Sequence, residues 1–509
     1  MDWLKIILFY IAIICSTLFV PALLRYFILR YRLRNFKGPK GLPFLGNVLQ
    51  SGKKNAPYFK FMCNLAEEFR ENGSFLRYLG LSPFITVYNA DDMERVLCSM
   101  KHDDKGFFYT SFASPWLGDG LLLSKGHKWA SRRKLLTPSF HFSILKKFLV
   151  VFNEQAELLT TKLCGLSDQP SVNLPPLLSL CTLDIMCETI MGFRLGAQKG
   201  EGSTYVDAVH SMGKTLTHRF RKPWYWSDFI FRRTQLGKEH DKCLKILHDT
   251  TKKVINDRKF EKQKEGLKDV VIDDESQKVR ERRRLAFLDL LIEIQRQDPS
   301  FTDNDIQEEV DTFMFEGHDT VSTSLIMALF LIGRHPDVQK KIQEEFNHVF
   351  GNDRERFVAS DDLPKLEYLS CVMKESQRLL TTVPNVNRDL GEDTIIGGIT
   401  VPKGTHLSLG FFFLHRDPKH FPNPEKFDPD RFLPANCNGR HNFAFIPFSA
   451  GHRNCIGQRF AIMEQKVILA TLLRKIEVTS LQTIDELQLA AEGILRALNG
   501  VHVNLVLRR

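Results

Sequence analysis

The run "DNDIQEEVDTFMFEGHDTVSTSLIMALFLIGRH", residues 303 to 335, is the strongest constraint on how this chain folds. It reads as one helix of about thirty residues, opened by the capping arrangement Thr302-x-x-Asp305 and closed before Pro336. So long an apolar helix belongs in the interior of a large domain. Yet its middle, "FMFEGHDTVST", carries Glu316, His318 and Asp319 within four consecutive positions. Burying an ionisable side chain is costly unless it is paired, neutralised or used.

The rest of the chain is compatible with such a core. A prior of ~150 residues per domain would allow about three domains in 509 residues. From Phe44 onward, however, there is no Pro/Gly/Ser-rich linker, internal repeat or low-complexity tract, so one large, mainly α domain with small peripheral β-sheets is the simpler reading. The ten cysteines are scattered without a CxxC pair, which fits reduced thiols of a cytosol-facing protein. A net charge of +10 suits an acidic surface, but the basic residues are spread out and no nucleic-acid motif accompanies them, so no nucleic-acid partner is expected.

Ile6 to Leu24, "IILFYIAIICSTLFVPALL", is uncharged over 19 residues. As a helix it covers ~28 Å, close to the hydrocarbon core of a bilayer. Arg25, Arg30, Arg32, Arg34, Lys37 and Lys40 follow and place that end in the cytosol. Residues 1–37 therefore read as an uncleaved transmembrane signal-anchor with a basic stop region, and residues 38–509 as the folded domain. The connector "KGPKGLPFLGN" is too rich in glycine and proline to continue a helix. Further helices are expected at "DVQKKIQEEFNHVF", "LEYLSCVMKESQRLL" and "GQRFAIMEQKVILATLLRKI", and strands at "SFLRYLG", "PFITVYN", "DTIIGGITVPKGT" and "VHVNLVLRR". The charged stretch from Lys259 to Arg284 reads as a solvated loop.

The chemistry converges on "FSAGHRNCIG", Phe448 to Gly457. Gly451 and Gly457 let the backbone approach a flat partner closely, and a helix starting near Gln458 stabilises negative charge on the Cys455 sulfur. A thiolate so placed is suited to ligate iron. The loop resembles the haem-thiolate loop F-x-x-G-x-R-x-C-x-G of the cytochrome P450 superfamily, with Phe448, Gly451, Arg453, Cys455 and Gly457 at its fixed positions. "KESQR" and "DPDRF" resemble the same family's structural Glu-Arg-Arg triad, here Glu375, Arg378 and Arg431, whose role is in the fold. "KWASRR" has the W-x-x-x-R spacing, Trp129 and Arg133, that the family directs at a haem propionate, and Arg453 looks like a second propionate partner.

The opening puzzle then has a place. Gly317, His318, Asp319 and Thr320 are similar to the family's [A/G]-G-x-[D/E]-T pattern on the helix crossing the distal face of the haem. The resemblance implies that Thr320 and Asp319 are catalytic, serving hydrogen bonding and proton delivery at the oxygen site. Left to themselves, Thr320 could instead back-bond to the preceding turn and Asp319 could be a salt-bridge partner. Glu316 stands where the pattern asks for a small residue. "EEVDTFMFEGHDT", together with "PFSAGHRNCIGQRFAIMEQK" and "LHRDPKHFPNPEKFDPDRF", closely resembles cytochrome P450 family 4, typically fatty-acid hydroxylases acting at or near the terminal methyl. In many of them this glutamate is esterified to a haem methyl, which would remove the buried charge; a protonated or water-bridged acid is the alternative.

The resemblance implies a cytochrome P450 fold with haem b between the long distal helix and the proximal Cys455 loop. It further implies a monooxygenase that uses O2 and electrons from NADPH through NADPH-cytochrome P450 reductase, with cytochrome b5 as a second candidate donor. The setting would be the endoplasmic reticulum membrane, with the catalytic domain facing the cytosol. Arg132, Lys134, Lys466 and Arg474 either receive an acidic redox partner or are simply solvated. The expected cavity lining, "FFYTSFASPWLGDGLLL", is aromatic and apolar, which favours an elongated lipophilic substrate. "LLTTVPNVNR", with Thr381, Asn385 and Asn387, is more polar than the family pattern, and steroids, terpenoid hormones and foreign compounds stay open. Two other readings compete: a reductase-independent haem-thiolate isomerase or dehydratase, against which Asp319 and Thr320 argue, and a non-catalytic haem sensor or carrier.

Overall fold

A computed structural model describes residues 2–266 and 287–508. The window 303–335 forms one helix, Asp303–Arg334, hereafter the central helix. Its start is fixed as expected: Thr302 accepts from the Asp305 amide while Asp305 accepts from the Thr302 amide. Pro336 then opens the next helix, Pro336–Phe350. Most of the central helix is buried, and the main hydrophobic core gathers around it. Leu174–Met186 packs along it, and at Gly317 the approach is so close that a Cβ would overlap the Met186 sulfur.

Helices account for most of the chain, with small sheets at the periphery. Strands β1 (Ser74–Leu79), β2 (Ser82–Val87), β4 (Val386–Asp389) and β7 (His406–Leu409) form a sheet in the order β1-β2-β7-β4. Another joins β3 (Val172–Asn173), β11 (His502–Leu507) and β8 (Ile476–Ser480). The hairpins β5/β6 (Thr394–Ile396, Ile399–Val401) and β9/β10 (Leu489–Glu492, Ile494–Ala497) complete the set. A smaller core lies against the first sheet.

The N-terminal run lies in one helix, Asp2–Arg32, with Pro21 inside it. Its last turns dock on the body: Tyr26 is buried against Tyr78, and Arg32 pairs with Asp393 at 2.6 Å. Phe27, Ile28, Tyr31, Leu42, Phe44, Leu45 and Leu49 are exposed beside it. A Cβ at Gly80, whose amide donates to the Leu45 carbonyl, would meet Pro223, and Trp224, Phe229 and Ile230 are exposed on the segment that follows Pro223. Among the described residues, Leu174–Met191 is long and apolar enough to cross a membrane, but it is 72% buried inside the fold and serves as a core helix. The expected loop at 259–284 is corrected in its first part. The helix Gln235–Gly266 continues through it, aided by Arg258 and Glu261 one turn apart at 2.9 Å, and the remainder lies outside the described residues.

Candidate haem site

Cys455 lies three residues before the start of the helix Gln458–Lys475, whose N-cap is Gly457. The loop is shaped by left-handed backbone at Ser449 and Gly451 and by a hydrogen bond from the Cys455 amide to the Phe448 carbonyl at 3.0 Å. Gly451 is required by packing, since a Cβ there would overlap the Leu97 carbonyl. At Gly457 a Cβ would only graze the Cys455 sulfur and the Phe140 ring, each at 4.0 Å, so that side is open. Phe448 packs against the main core.

The Cys455 side chain is exposed, but to a space inside the protein. Burial pushes its thiol up to about 11; Glu316 across that space adds to the rise, and the Gly457 amide, Arg133 and Lys105 oppose it. The helix N-terminus therefore does not make this a free thiolate, and coordination to a metal would have to displace the proton.

Glu316 faces the same space. Burial and the nearby Asp319 push it up to about 7, against the pull of Lys105. Thr320 donates from Oγ1 to the Glu316 carbonyl at 2.7 Å, which leaves its lone pairs free to accept. Asp319 is fully buried and ion-paired: Arg496 on β10 donates from Nη2 to Oδ2 at 2.5 Å, and His210 Nε2 faces Oδ1 at 3.6 Å. Burial alone would raise its pKa, but Arg496 with the His210 and His318 interactions holds this carboxyl well below the usual range.

Cations ring one side of the space. Lys105, Arg388 and Arg453 are buried close together, and burial plus mutual repulsion pushes Lys105 far down and Arg453 down to about 10. Arg453 holds the Ser124 carbonyl at 2.9 Å and sits over the Trp129 ring at 4.7 Å, while its Nε and His452 Nε2 are buried without a partner. Arg133 pins the cysteine loop through the Asn454 carbonyl and side chain at 2.7 and 2.8 Å. The sequence reading missed Lys105 and Arg388. The signal for Arg388 lay in "NVNRDL", where a lone cation interrupts a strand, and nothing local marked Lys105.

Haem fits these residues. Among the described residues no cluster of three or more His, Cys, Asp or Glu could hold a metal by itself, whereas one open cysteine suffices when a porphyrin supplies the other donors. Repelling, partly unpartnered cations suit two carboxylates. Elsewhere the expected bracing is present. Glu375 and Arg378 are fully buried and joined at 2.7 and 2.9 Å, with Arg431 at 3.5 Å. Thr381 points away from the site, to His415 Nδ1 at 3.1 Å. Of the expected docking cations Arg132 and Arg474 are buried and Lys466 is half-buried. Arg132 is bonded to Asp305, Lys466 to the Leu363 carbonyl at 2.6 Å, and Arg474 to the Asp353 and Arg356 carbonyls, so of that set Lys134 alone is exposed.

One open cysteine beneath a long helix, with cations for two carboxylates, is the arrangement of a haem-thiolate protein, and the family model for cytochrome P450 matches residues 36–500. The chain belongs to the cytochrome P450 family and is a monooxygenase. Within it the relatives are of family 4. It is 44% identical to cytochrome P450 4V2 of Mus musculus over 92% of this chain and 88% of that protein. It is 42% identical to cytochrome P450 4c3 of Drosophila melanogaster over 94% and 90%, and 40% identical to cytochrome P450 4c21 of Blattella germanica over 87% of each.

Proposed function

We propose that this monooxygenase hydroxylates an elongated lipophilic substrate, a fatty acid or related lipid, at or near its terminal methyl. One observation carries the reading. The aromatic segment around Phe107, Phe108, Phe112 and Trp116 packs on the central helix through Trp116 and Phe315, 4.6 Å apart, directly beside Glu316, so an apolar wall adjoins the site. Untargeted product analysis with reductase, NADPH and a mixed lipid extract tests it. A hydroxylated fatty acyl chain is the expected product, and products confined to sterols would defeat the fatty-acid reading.

Cys455 would hold the iron, and Trp129, Arg133, Arg453, Lys105 and Arg388 the carboxylate side, with Phe448, Gly451 and Gly457 shaping the loop. When bound, haem supplies the activation of O2 and the oxidation of a C–H bond. Thr320 accepts a hydrogen bond at the oxygen site and Asp319 moves protons toward it. Electrons come from NADPH through the diflavin reductase, with cytochrome b5 as a second donor. Residues 1–37 anchor the chain in the endoplasmic reticulum membrane, and residues 38–509 form the catalytic domain in the cytosol. The exposed pair Phe27 and Phe44, and the exposed Trp224 and Phe229, support that orientation.

Glu316 is the site of a proposed haem ester, because burial raises the cost of its free carboxylate and esterification removes the charge. After turnover, acidified organic solvent is expected to leave haem on the wild-type chain and to strip it from Glu316→Ala. Complete extraction from both would defeat the ester and leave the monooxygenase assignment standing.

A further inference from the structure

The two carboxylate oxygens of Asp319 meet different elements. Oδ2 is held by Arg496 on β10. Oδ1 has no hydrogen-bond partner, and neither has the atom that faces it, Nε2 of His210 on the helix Ser203–Phe220. The His210 side chain keeps 31% of its surface accessible while Asp319 keeps none, so this imidazole reaches from accessible space to an otherwise sealed carboxylate.

The other titratable groups facing Asp319 do not offer that route. Glu316, on the same helix, repels it. His318 is fully buried, its Nδ1 paired with the Met314 carbonyl at 2.5 Å, and burial favours its neutral form. Tyr205, on the His210 helix, is buried and its phenol is held protonated. Arg496 remains a cation.

We propose that His210 is the proton-relay partner of Asp319. As water delivers a proton to Nδ1 the Nε2 proton moves to Oδ1, so the ring stays neutral; it then exchanges its Nδ1 proton for one on Nε2 through water, and Asp319 returns to the carboxylate when it hands the proton on toward Thr320. Arg496 restores the ionised form after each transfer and fixes the carboxylate's orientation. His210 acts through Asp319, and the inference rests on the proposed role of Asp319 in proton delivery.

The test uses the full-length haem-loaded protein with reductase, NADPH and a saturated medium-chain fatty acid. His210→Gln is expected to raise the share of reducing equivalents lost as hydrogen peroxide roughly tenfold. That is below the ~100-fold of a directly acting acid or base, because water substitutes in part. Asp319→Asn should raise that share further, adding His210→Gln to Asp319→Asn should then change nothing more, and His210→Lys, which keeps a cation but is a poor proton donor, should not rescue. Independently of turnover, a thermal-unfolding double-mutant cycle should show coupling between positions 210 and 319. Rescue by His210→Lys would overturn the proposal in favour of plain charge pairing. Wild-type behaviour of His210→Gln beside an uncoupled Asp319→Asn would overturn it while sparing Asp319. Wild-type behaviour of Asp319→Asn would remove both. Should Asp319→Asn fail to fold, His210→Gln at its partly accessible position carries the test: an unchanged peroxide share and pH profile would overturn the proposal.

Discussion

Cys455→Ala is expected to give a folded protein that no longer shows a thiolate-type haem spectrum and no longer hydroxylates. The side chain faces an internal space and is exposed, so its removal takes little packing from the core. The loop is held by other groups: the Cys455 amide on the Phe448 carbonyl, Arg133 on Asn454, and Arg453 on the Ser124 and Leu122 carbonyls. All of these survive an alanine. Thermal unfolding of the haem-free form should therefore shift by no more than about 0.5 kcal/mol, within the range of ordinary surface changes. The carbon monoxide difference spectrum of the reduced protein is the direct check. An unchanged thiolate band in the variant would show that another residue ligates the iron.

What the sequence made legible is what short-range rules encode. The capping box at Thr302 and Asp305, the Glu375–Arg378 pair one helical turn apart, and the glycine-flanked cysteine before a helix each lie within ten residues, and all three are seen in the structure. Arg496 and Asp319 stand 177 positions apart and meet because the β9/β10 hairpin folds back against the central helix. Arg388 enters the site through the pairing of β4 with β7, which no local pattern announces. The docking cations were misread for the same reason. Charge is visible in a sequence, but the carbonyls and carboxylates that engage Arg132, Lys466 and Arg474 are not. The segment after Lys259 failed differently: its charges suggested solvent, yet no helix breaker appears before Gly266, and charged pairs one turn apart sustain a helix as readily as a loop.

Glu375→Ala is expected to prevent accumulation of folded protein, although the residue lies outside the chemistry. Both Glu375 and Arg378 are inaccessible to solvent. The carboxylate takes two hydrogen bonds from Arg378, at 2.7 and 2.9 Å, and one from the Asp428 amide at 2.8 Å. Arg378 in turn holds the carbonyls of His415 and Lys426, both at 3.1 Å. The pair thus fastens the helix Glu367–Leu379 to the segment that leads into the cysteine loop. Removing the carboxylate leaves a buried guanidinium uncompensated, a loss of about 3–5 kcal/mol against a total stability of about 5–15 kcal/mol. Arg431, at 3.5 Å from the carboxylate and partly accessible, should be less critical, so Arg431→Ala is expected to fold with a lowered midpoint. Soluble yield and thermal unfolding of Glu375→Ala, Glu375→Gln and Arg431→Ala decide the matter. Glu375→Gln is the sharpest of the three, because it keeps the shape while it removes the charge and turns one of the two acceptor oxygens into a donor. A wild-type midpoint there would mean that shape and hydrogen bonding, not charge compensation of Arg378, hold this part of the fold together.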